Sequence, residues 1–404
     1  MNRLFSLILT TCLVMSLGAC SRTEQSTDEV ELVPTVEAEP APAPTPAPPE
    51  PTPEELAARR IDELLTSLTL EEKVGQLFFV RCPAENAVED IGTYHLGGYI
   101  LFGRDFKDAS GNWLTKEQVI QNIAAYQAAA AADTGIPLLI GSDEEGGSVT
   151  RASRNPNLFD SKFKSPQWLW KNQHDHGNIF AEDAWEKSSA LLSLGINVNL
   201  APVCDVSSDP ADFIYDRTLG QDAQTTASFV ETTVSTMRSA NMGSVLKHFP
   251  GYGNNVDTHT GIAFDQRTYS TFLRQDFLPF SAGIAAGGNT TAVLVSHNIV
   301  VSMDPDLPAS LSPGVHNILR SELKFEGVTM TDDLAMEAVE SYAKDGSVAV
   351  MAIEAGNDLL ITGDYHTQIP LVIQAVENGI LAEETINASC RRVLTWKQNL
   401  GLIP

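Results

Sequence analysis

Gly243-Ser244-Val245-Leu246-Lys247-His248-Phe249-Pro250-Gly251-Tyr252-Gly253-Asn254-Asn255-Val256-Asp257-Thr258-His259 passes from an apolar run straight into Pro, Gly and Asn. That change reads as a buried strand spilling into a functional loop. Lys247 and His248 stand at the junction. Asp257 and His259 are two apart, so an extended backbone projects both side chains to one side, where the carboxylate can hold one imidazole nitrogen. Such a pair is suited to proton transfer.

Working outward, the same pattern repeats along the chain: a short apolar, β-rich run, a polar or Gly-bearing loop, then an amphipathic or Ala-rich stretch. The runs are Val74 to Val80, Gly98 to Phe102, Ile136 to Gly141, Val198 to Val203, Ser244 to Leu246, Ala292 to Val295, Gly327 to Met330 and Asp358 to Ile361. Helical stretches between them include Lys116 to Ala132, Gln224 to Ala240 and Val315 to Leu323. Eight strands alternating with helices predict an α/β fold, a single (β/α)8 TIM-type barrel whose working residues sit on the loops after the strands. A doubly wound open sheet uses the same alternation, so the residues just past the strand ends must decide.

After the third run come Asp143-Glu144-Glu145-Gly146-Gly147 and then Arg151. Carboxylate acceptors and a guanidinium donor at one loop are the groups that grip sugar hydroxyls, with a solvated acidic turn as the alternative. After the fourth run, Asp205 falls where a barrel mouth begins, and Arg217 follows in a long loop. After the seventh run, Thr331-Asp332-Asp333 brings a strand-end carboxylate suited to attack an anomeric carbon. Successive strand residues face opposite ways, so only one of the two acids is expected to face a pocket, and Asp333 is given a supporting or structural role. Asp358 reads either as a residue that orders the site or as a buried, hydrogen-bonded turn residue. His248, Asp257, His259 and His297 leave a zinc site open as a rival reading.

Lys247 to Gly251, followed by Asp257-Thr258-His259, resembles the Lys-His-Phe-Pro-Gly-His-Gly signature and later Asp-Ser-His of glycoside hydrolase family 3, in its β-N-acetylhexosaminidase branch. Two departures stand out: Tyr252 replaces the second His, and the loop between Gly253 and Asp257 is one residue shorter than in that branch. The resemblance implies Asp332 as nucleophile, matched through the frame Ile318-Leu319-Arg320 to Thr331-Asp332, with Asp143, Arg151, Arg217, Lys247 and His248 binding the sugar. It also implies that the His259 and Asp257 pair replaces the second carboxylic acid of a retaining glycosidase. The implied substrates are β-N-acetylglucosaminides, a terminal sugar on peptidoglycan fragments or related oligosaccharides. The sequence ends soon after the last expected barrel element, so no second α/β domain such as many β-glucosidases of the family carry is expected, which favours the hexosaminidase branch. Alternatives are β-glucosidase, β-xylosidase or phosphorylase activity in the same family, a metal-dependent barrel hydrolase, or a non-catalytic sugar-binding lipoprotein.

The N-terminus reads as an export signal: Arg3, an apolar stretch from Leu4 to Leu17, and small residues before a cysteine. Leu17-Gly18-Ala19-Cys20 resembles a bacterial lipobox, so residues 1–19 are expected to be a signal peptide and Cys20 a lipidated N-terminus anchored to the membrane on its extracytoplasmic face. An ordinary secretory peptide is the alternative. Residues 20–55, rich in Glu and Pro, cannot bury enough surface to fold and read as a disordered tether, leaving 56–404 for the barrel. Fifty-two acids against 26 bases, a formal charge of −26, exclude polyanionic nucleic acid as a partner. Cys82, Cys204 and Cys390 are isolated and odd in number, which predicts buried thiols rather than a disulfide framework. No phosphate loop or GxGxxG occurs, and the implied chemistry calls for no cofactor and no metal.

Overall fold

Eight parallel strands close on themselves in chain order in the computed structural model, which describes residues 51–172, 175–256, 261–336, 339, 342 and 347–404. They are β1 (Phe79–Arg81), β2 (Gly98–Leu101), β3 (Leu139–Ser142), β4 (Val198–Asn199), β5 (Gly243–Phe249), β7 (Thr291–Val295), β9 (Thr329–Asp333) and β10 (Leu359–Ile361). Two short strands, β6 (Phe264–Asp265) and β8 (Ile299–Val300), pair outside this ring. Closure runs through a parallel bridge between Phe78 and Leu360, with Leu360 N donating to Leu77 O at 2.7 Å and Arg81 N to Thr362 O at 3.2 Å. The expected (β/α)8 barrel is therefore the fold. The expected signal peptide, Cys20, most of the tether, Asp257 and His259 lie outside the described residues.

The apolar runs are continuous because each strand is buried on both faces. Val245, Ala292 and Leu294 belong to the main core, whereas Leu246, Val293 and Val295 turn the other way. There they pack with Phe229 and Phe280 of the helices Ala223–Ser239 and Phe277–Gly287. The helices begin where local chemistry starts them. Thr115 and Gln118 form a reciprocal capping box ahead of Lys116–Asp133, and Ser312 caps Pro313–Ser321.

Several strand bounds shift by a few residues, as with β3 (Leu139–Ser142) for Ile136 to Gly141 and β4 (Val198–Asn199) for Val198 to Val203, and at two places the structure has helix where the sequence reading had none. Val74 to Gln76, read as the opening of the first strand, instead ends a helix, Leu70–Gln76, whose Thr69 and Glu72 form a capping box. A continuous apolar run cannot by itself separate a buried helical turn from a strand. The helix Pro53–Ser67 starts inside the stretch read as tether, because Thr52 and Glu55 cap each other and Pro53 suits the first helical turn.

Candidate active site

Parallel strands deliver their C-terminal ends to one rim, and the rim holds a cleft with an empty volume of about 750 Å³. Its lining includes Asp143, Arg151, Arg217, Lys247, His248 and Asp332, six residues singled out in the sequence, together with Arg81, Phe102 and Asp333. Lys247 and His248 lie within β5 rather than beyond it, and Asp332 lies within β9. The Lys247–His248 and Phe249–Pro250 peptides are cis.

A chain of charged groups forms the floor. Lys247 Nζ donates to Asp143 Oδ1 at 2.8 Å and pairs with Glu145 Oε1 at 2.7 Å. Arg217 grips the same Glu145 with two parallel bonds, Nη2 to Oε1 at 2.8 Å and Nε to Oε2 at 3.0 Å. Arg151 Nη2 reaches the other oxygen of Asp143 at 3.4 Å. Burial works to raise the Glu145 carboxyl, but the charges of Arg217 and Lys247 outweigh it and hold the group far below the usual carboxylate range. Lys247 answers in kind: burial works to lower it, and Asp143 and Glu145 raise it above the ordinary lysine value.

The Gly-Gly pair sets this loop. Gly146 and Gly147 have φ of +98° and +66°, and a Cβ on Gly146 would lie 2.0 Å from Lys164 O. Glu144, between the two working acids, is spent on the backbone, accepting from Arg151 N at 2.6 Å and Ser153 N at 3.1 Å. Burial raises its carboxyl, against those hydrogen bonds. Alternation along the chain thus separates Asp143 and Glu145 from Glu144.

His248 is held from both sides. Its Nε2 faces Arg217 Nη2 at 3.0 Å, and because a guanidinium only donates, Nε2 must accept and the proton sits on Nδ1. Nδ1 donates to Asp205 Oδ2 at 2.7 Å. Asp205 Oδ1 takes Tyr252 N at 2.7 Å, so one fully buried carboxylate orients the imidazole and fixes the start of the next loop. Tyr252, standing where the family signature has His, packs its ring edge-on against His248 with centroids 5.7 Å apart.

Asp332 is half-buried at the cleft, and its Oδ1 accepts from Asp333 N at 2.8 Å. Asp333 lines the same cleft, contrary to strict strand alternation, and its carboxylate is taken by an ion pair to Arg81 Nε and by Ala335 N at 2.9 Å. The guanidiniums of Arg81 and Arg151 each lie 5.4 Å from the Phe102 ring centroid, giving the cleft one aromatic wall.

Other sequence candidates are placed elsewhere. His297 Nδ1 meets Ser310 Oγ at 2.7 Å and Nε2 meets the Asp333 carbonyl at 3.0 Å, so both ring nitrogens serve the fold. Asp358 joins Arg320 (2.7 Å), Thr329 N (3.0 Å) and Arg392 (2.8 Å) at the start of β9, away from the catalytic rim. It is the buried turn residue. Sequence reasoning missed Glu145 and Arg81 as members of the site and left Asp205 without a partner. The acidic triplet carried a signal for Glu145, but none existed for Arg81.

The cations Arg81, Arg151, Arg217 and Lys247 that line the cleft are matched in number by Asp143, Asp332 and Asp333 of the lining and by the buried Glu145 beneath them. A cleft so balanced has many hydrogen-bonding atoms and little field, which suits a neutral polyhydroxylated ligand. On a barrel of this topology, such a cleft with a strand-end carboxylate in it fits a glycoside hydrolase. The chain belongs to glycosyl hydrolase family 3, whose N-terminal domain pattern matches residues 69–396.

Individual relatives agree. A β-hexosaminidase of Stenotrophomonas maltophilia (strain K279a) is 33% identical over 315 residues, covering 76% of this chain and 84% of that protein. The structure of a family 3 β-N-acetylglucosaminidase from Paenibacillus sp. str. FPU-7 matches with a TM-score of 0.74 at 31% identity, over 83% of this chain. This chain covers 63% of that longer protein. A β-N-acetylhexosaminidase from Beutenbergia cavernae DSM 12333 matches at a TM-score of 0.70 and 30% identity, over 82% of this chain and 99% of the other.

Proposed function

We propose that this protein is a retaining β-N-acetylhexosaminidase that releases terminal β-linked N-acetylglucosamine from peptidoglycan fragments or related oligosaccharides. The observation that carries the reading is Asp332 at the end of β9, half-buried in the one cleft that also gathers Asp143, Arg151, Arg217, Lys247 and His248. The names of the relatives support the choice of an N-acetylated sugar.

In the first half-reaction the Asp332 carboxylate attacks the anomeric carbon, the glycosidic C–O bond breaks, and the leaving oxygen takes a proton from His259. In the second, neutral His259 takes a proton from water, whose oxygen attacks the same carbon and releases Asp332. Two inversions return the β configuration. Asp257 orients the imidazole and stabilises its protonated form. Lys247, Arg217 and Asp143 hold sugar hydroxyls while Glu145 fixes both cations. The lipobox-like Leu17-Gly18-Ala19-Cys20 and the Pro-rich stretch after it support export, lipidation of Cys20 and tethering at the extracytoplasmic face of the membrane.

The test is hydrolysis of an aryl β-N-acetylglucosaminide against the matching aryl β-glucoside by the purified full chain, with and without chelator and inorganic phosphate. Preference for the acetamido sugar, indifferent to chelator, is expected. Preference for the glucoside, or loss with chelator, overturns the reading, and acceleration by phosphate turns it into a phosphorylase.

A further inference from the structure

Between Asn255 and Asp265 the chain carries Asp257 and His259, and the two ends of that stretch meet. Asn255 Nδ2 donates to Asp265 Oδ2 and to Tyr252 O, both at 2.8 Å. One guanidinium ties this meeting point down. Arg267 Nε lies 3.0 Å from both oxygens of Asp265, and its Nη2 donates to Asp265 Oδ2 at 2.7 Å and to Gly251 O at 3.0 Å. Its Nη1 reaches both oxygens of Asp276 at 3.0 Å. The group also lies 4.3 Å from the Phe272 ring centroid.

We propose that Arg267 is the positioning residue for the acid/base pair: its guanidinium holds both ends of the segment bearing Asp257 and His259 against the floor of the sugar site. The inference rests on the mechanism proposed above. The link to the floor is continuous, because Tyr252 N binds Asp205 Oδ1 and Asp205 Oδ2 binds His248 Nδ1, each at 2.7 Å. Gly251 makes the approach possible, with φ of +125° and room for no side chain, since a Cβ there would lie 2.2 Å from Asp276 Oδ1.

The energetics favour a geometric role over a stabilising one. Asp265 and Asp276 are each 1% exposed, so the arrangement buries two carboxylates around one cation, and the desolvation cost offsets most of the attraction. What the guanidinium supplies is direction. Its planar fork meets two carboxylates and a carbonyl at fixed angles, which a lysine ammonium cannot reproduce. General acid help depends on placing the donor within hydrogen-bond reach of the leaving oxygen, so a small displacement of the segment is felt in protonation more than in sugar binding.

The test uses the full chain and two substrates, an activated aryl β-N-acetylglucosaminide that needs little protonation and an N-acetylglucosamine disaccharide that needs full protonation. Arg267→Lys is expected to lose on the order of 10²-fold more kcat/KM on the disaccharide than on the activated substrate, with KM for the latter near wild type. Asp276→Asn, which loosens the same anchor from its other side, should show the same asymmetry in smaller measure. His259→Ala is run in parallel. If His259→Ala shows the asymmetry and Arg267→Lys loses equally on both substrates, the positioning role is overturned and the mechanism stands. Equal losses in His259→Ala overturn the mechanism and the inference together. Should circular dichroism show Arg267→Lys unfolded, Asp276→Asn decides, its asymmetry supporting the role and its absence refuting it.

Discussion

Replacing Glu145 by Gln keeps the shape of the side chain and removes its charge. In the native site Glu145 receives Lys247 Nζ at 2.7 Å and Arg217 at 2.8 and 3.0 Å, all within the buried floor. The amide of Glu145→Gln turns one acceptor into a donor facing a donor, and leaves Lys247 with Asp143 alone as counter-charge. Breaking a buried ion network in this way costs about 3–5 kcal/mol. For a folded unit of about 350 residues, with unfolding entropy near 2.1 cal/mol/K per residue, that lowers Tm by about 4–7 °C. The folded Glu145 carboxyl is held far below its unfolded value, burial notwithstanding, by Arg217 and Lys247. Its stabilisation is therefore complete above the unfolded pKa of about 4.3 and is lost only as pH falls toward the folded value. The Tm gap between wild type and variant should then be the same at pH 7 and pH 5.5. Because Arg217 and Lys247 lose their fixed positions, kcat/KM on an aryl β-N-acetylglucosaminide should fall by about 10- to 100-fold, one or two charged hydrogen bonds' worth. Thermal melts followed by circular dichroism and initial-rate kinetics measure both. A variant that melts with the wild type and keeps its kcat/KM would falsify the assignment of Glu145 as the group that holds Arg217 and Lys247 in place.

Three further substitutions probe separate parts of the argument. Asp332→Ala should abolish turnover of even the most activated aryl glycoside while leaving the far-ultraviolet spectrum intact, and a wild-type-like rate sinks the nucleophile assignment. Asp205→Asn removes the carboxylate that orients His248 Nδ1 and carries Tyr252 N, so kcat/KM should fall by roughly tenfold or more; unchanged kinetics would mean that Arg217 alone holds the imidazole. Lys397, fully buried with its Nζ on Gln76 Oε1 at 2.7 Å, is pushed by burial down to about 7, against a smaller raising effect of Cys390. The unfolded chain holds the extra proton between about pH 7 and 10.4, so this group makes stability rise with pH across that window, by up to ~1.4 kcal/mol per pH unit. Lys397→Met should flatten that slope, and parallel pH profiles of Tm for the two proteins would refute it.

The alternation of apolar runs with helical stretches was enough to read an α/β fold of eight strands, because strands buried on both faces write themselves as continuous hydrophobic sequence; the residues past the strand ends chose the barrel over an open sheet. Val245 and Leu246 both look like core in the chain, and they are, one in each cluster. The same property hid the first strand's true start. In Val74-Gly75-Gln76-Leu77-Phe78-Phe79-Val80, burial is uniform while the backbone changes from helix to strand, and only the Thr69 and Glu72 cap marks the helix. A hydrophobic pattern reports burial first and conformation only where burial alternates.

The site was legible to the extent that its residues sit on strand ends and carry charge, which brought Asp143, Arg151, Arg217, Lys247, His248 and Asp332 into one cleft. What sequence could not supply was the pairing, since partners come together across 72 residues for Arg217 and Glu145 and 104 for Lys247 and Asp143. Pairing decides function here. Glu144 and Glu145 are chemically identical neighbours, yet one is used up by Arg151 N and Ser153 N while the other is clasped by two cations. Asp332 and Asp333 also differ in their partners, Asp333 pairing with Arg81 and taking Ala335 N while Asp332 takes Asp333 N. In both acidic pairs one member, Glu144 or Asp333, spends a carboxylate oxygen on the backbone of the loop that follows it.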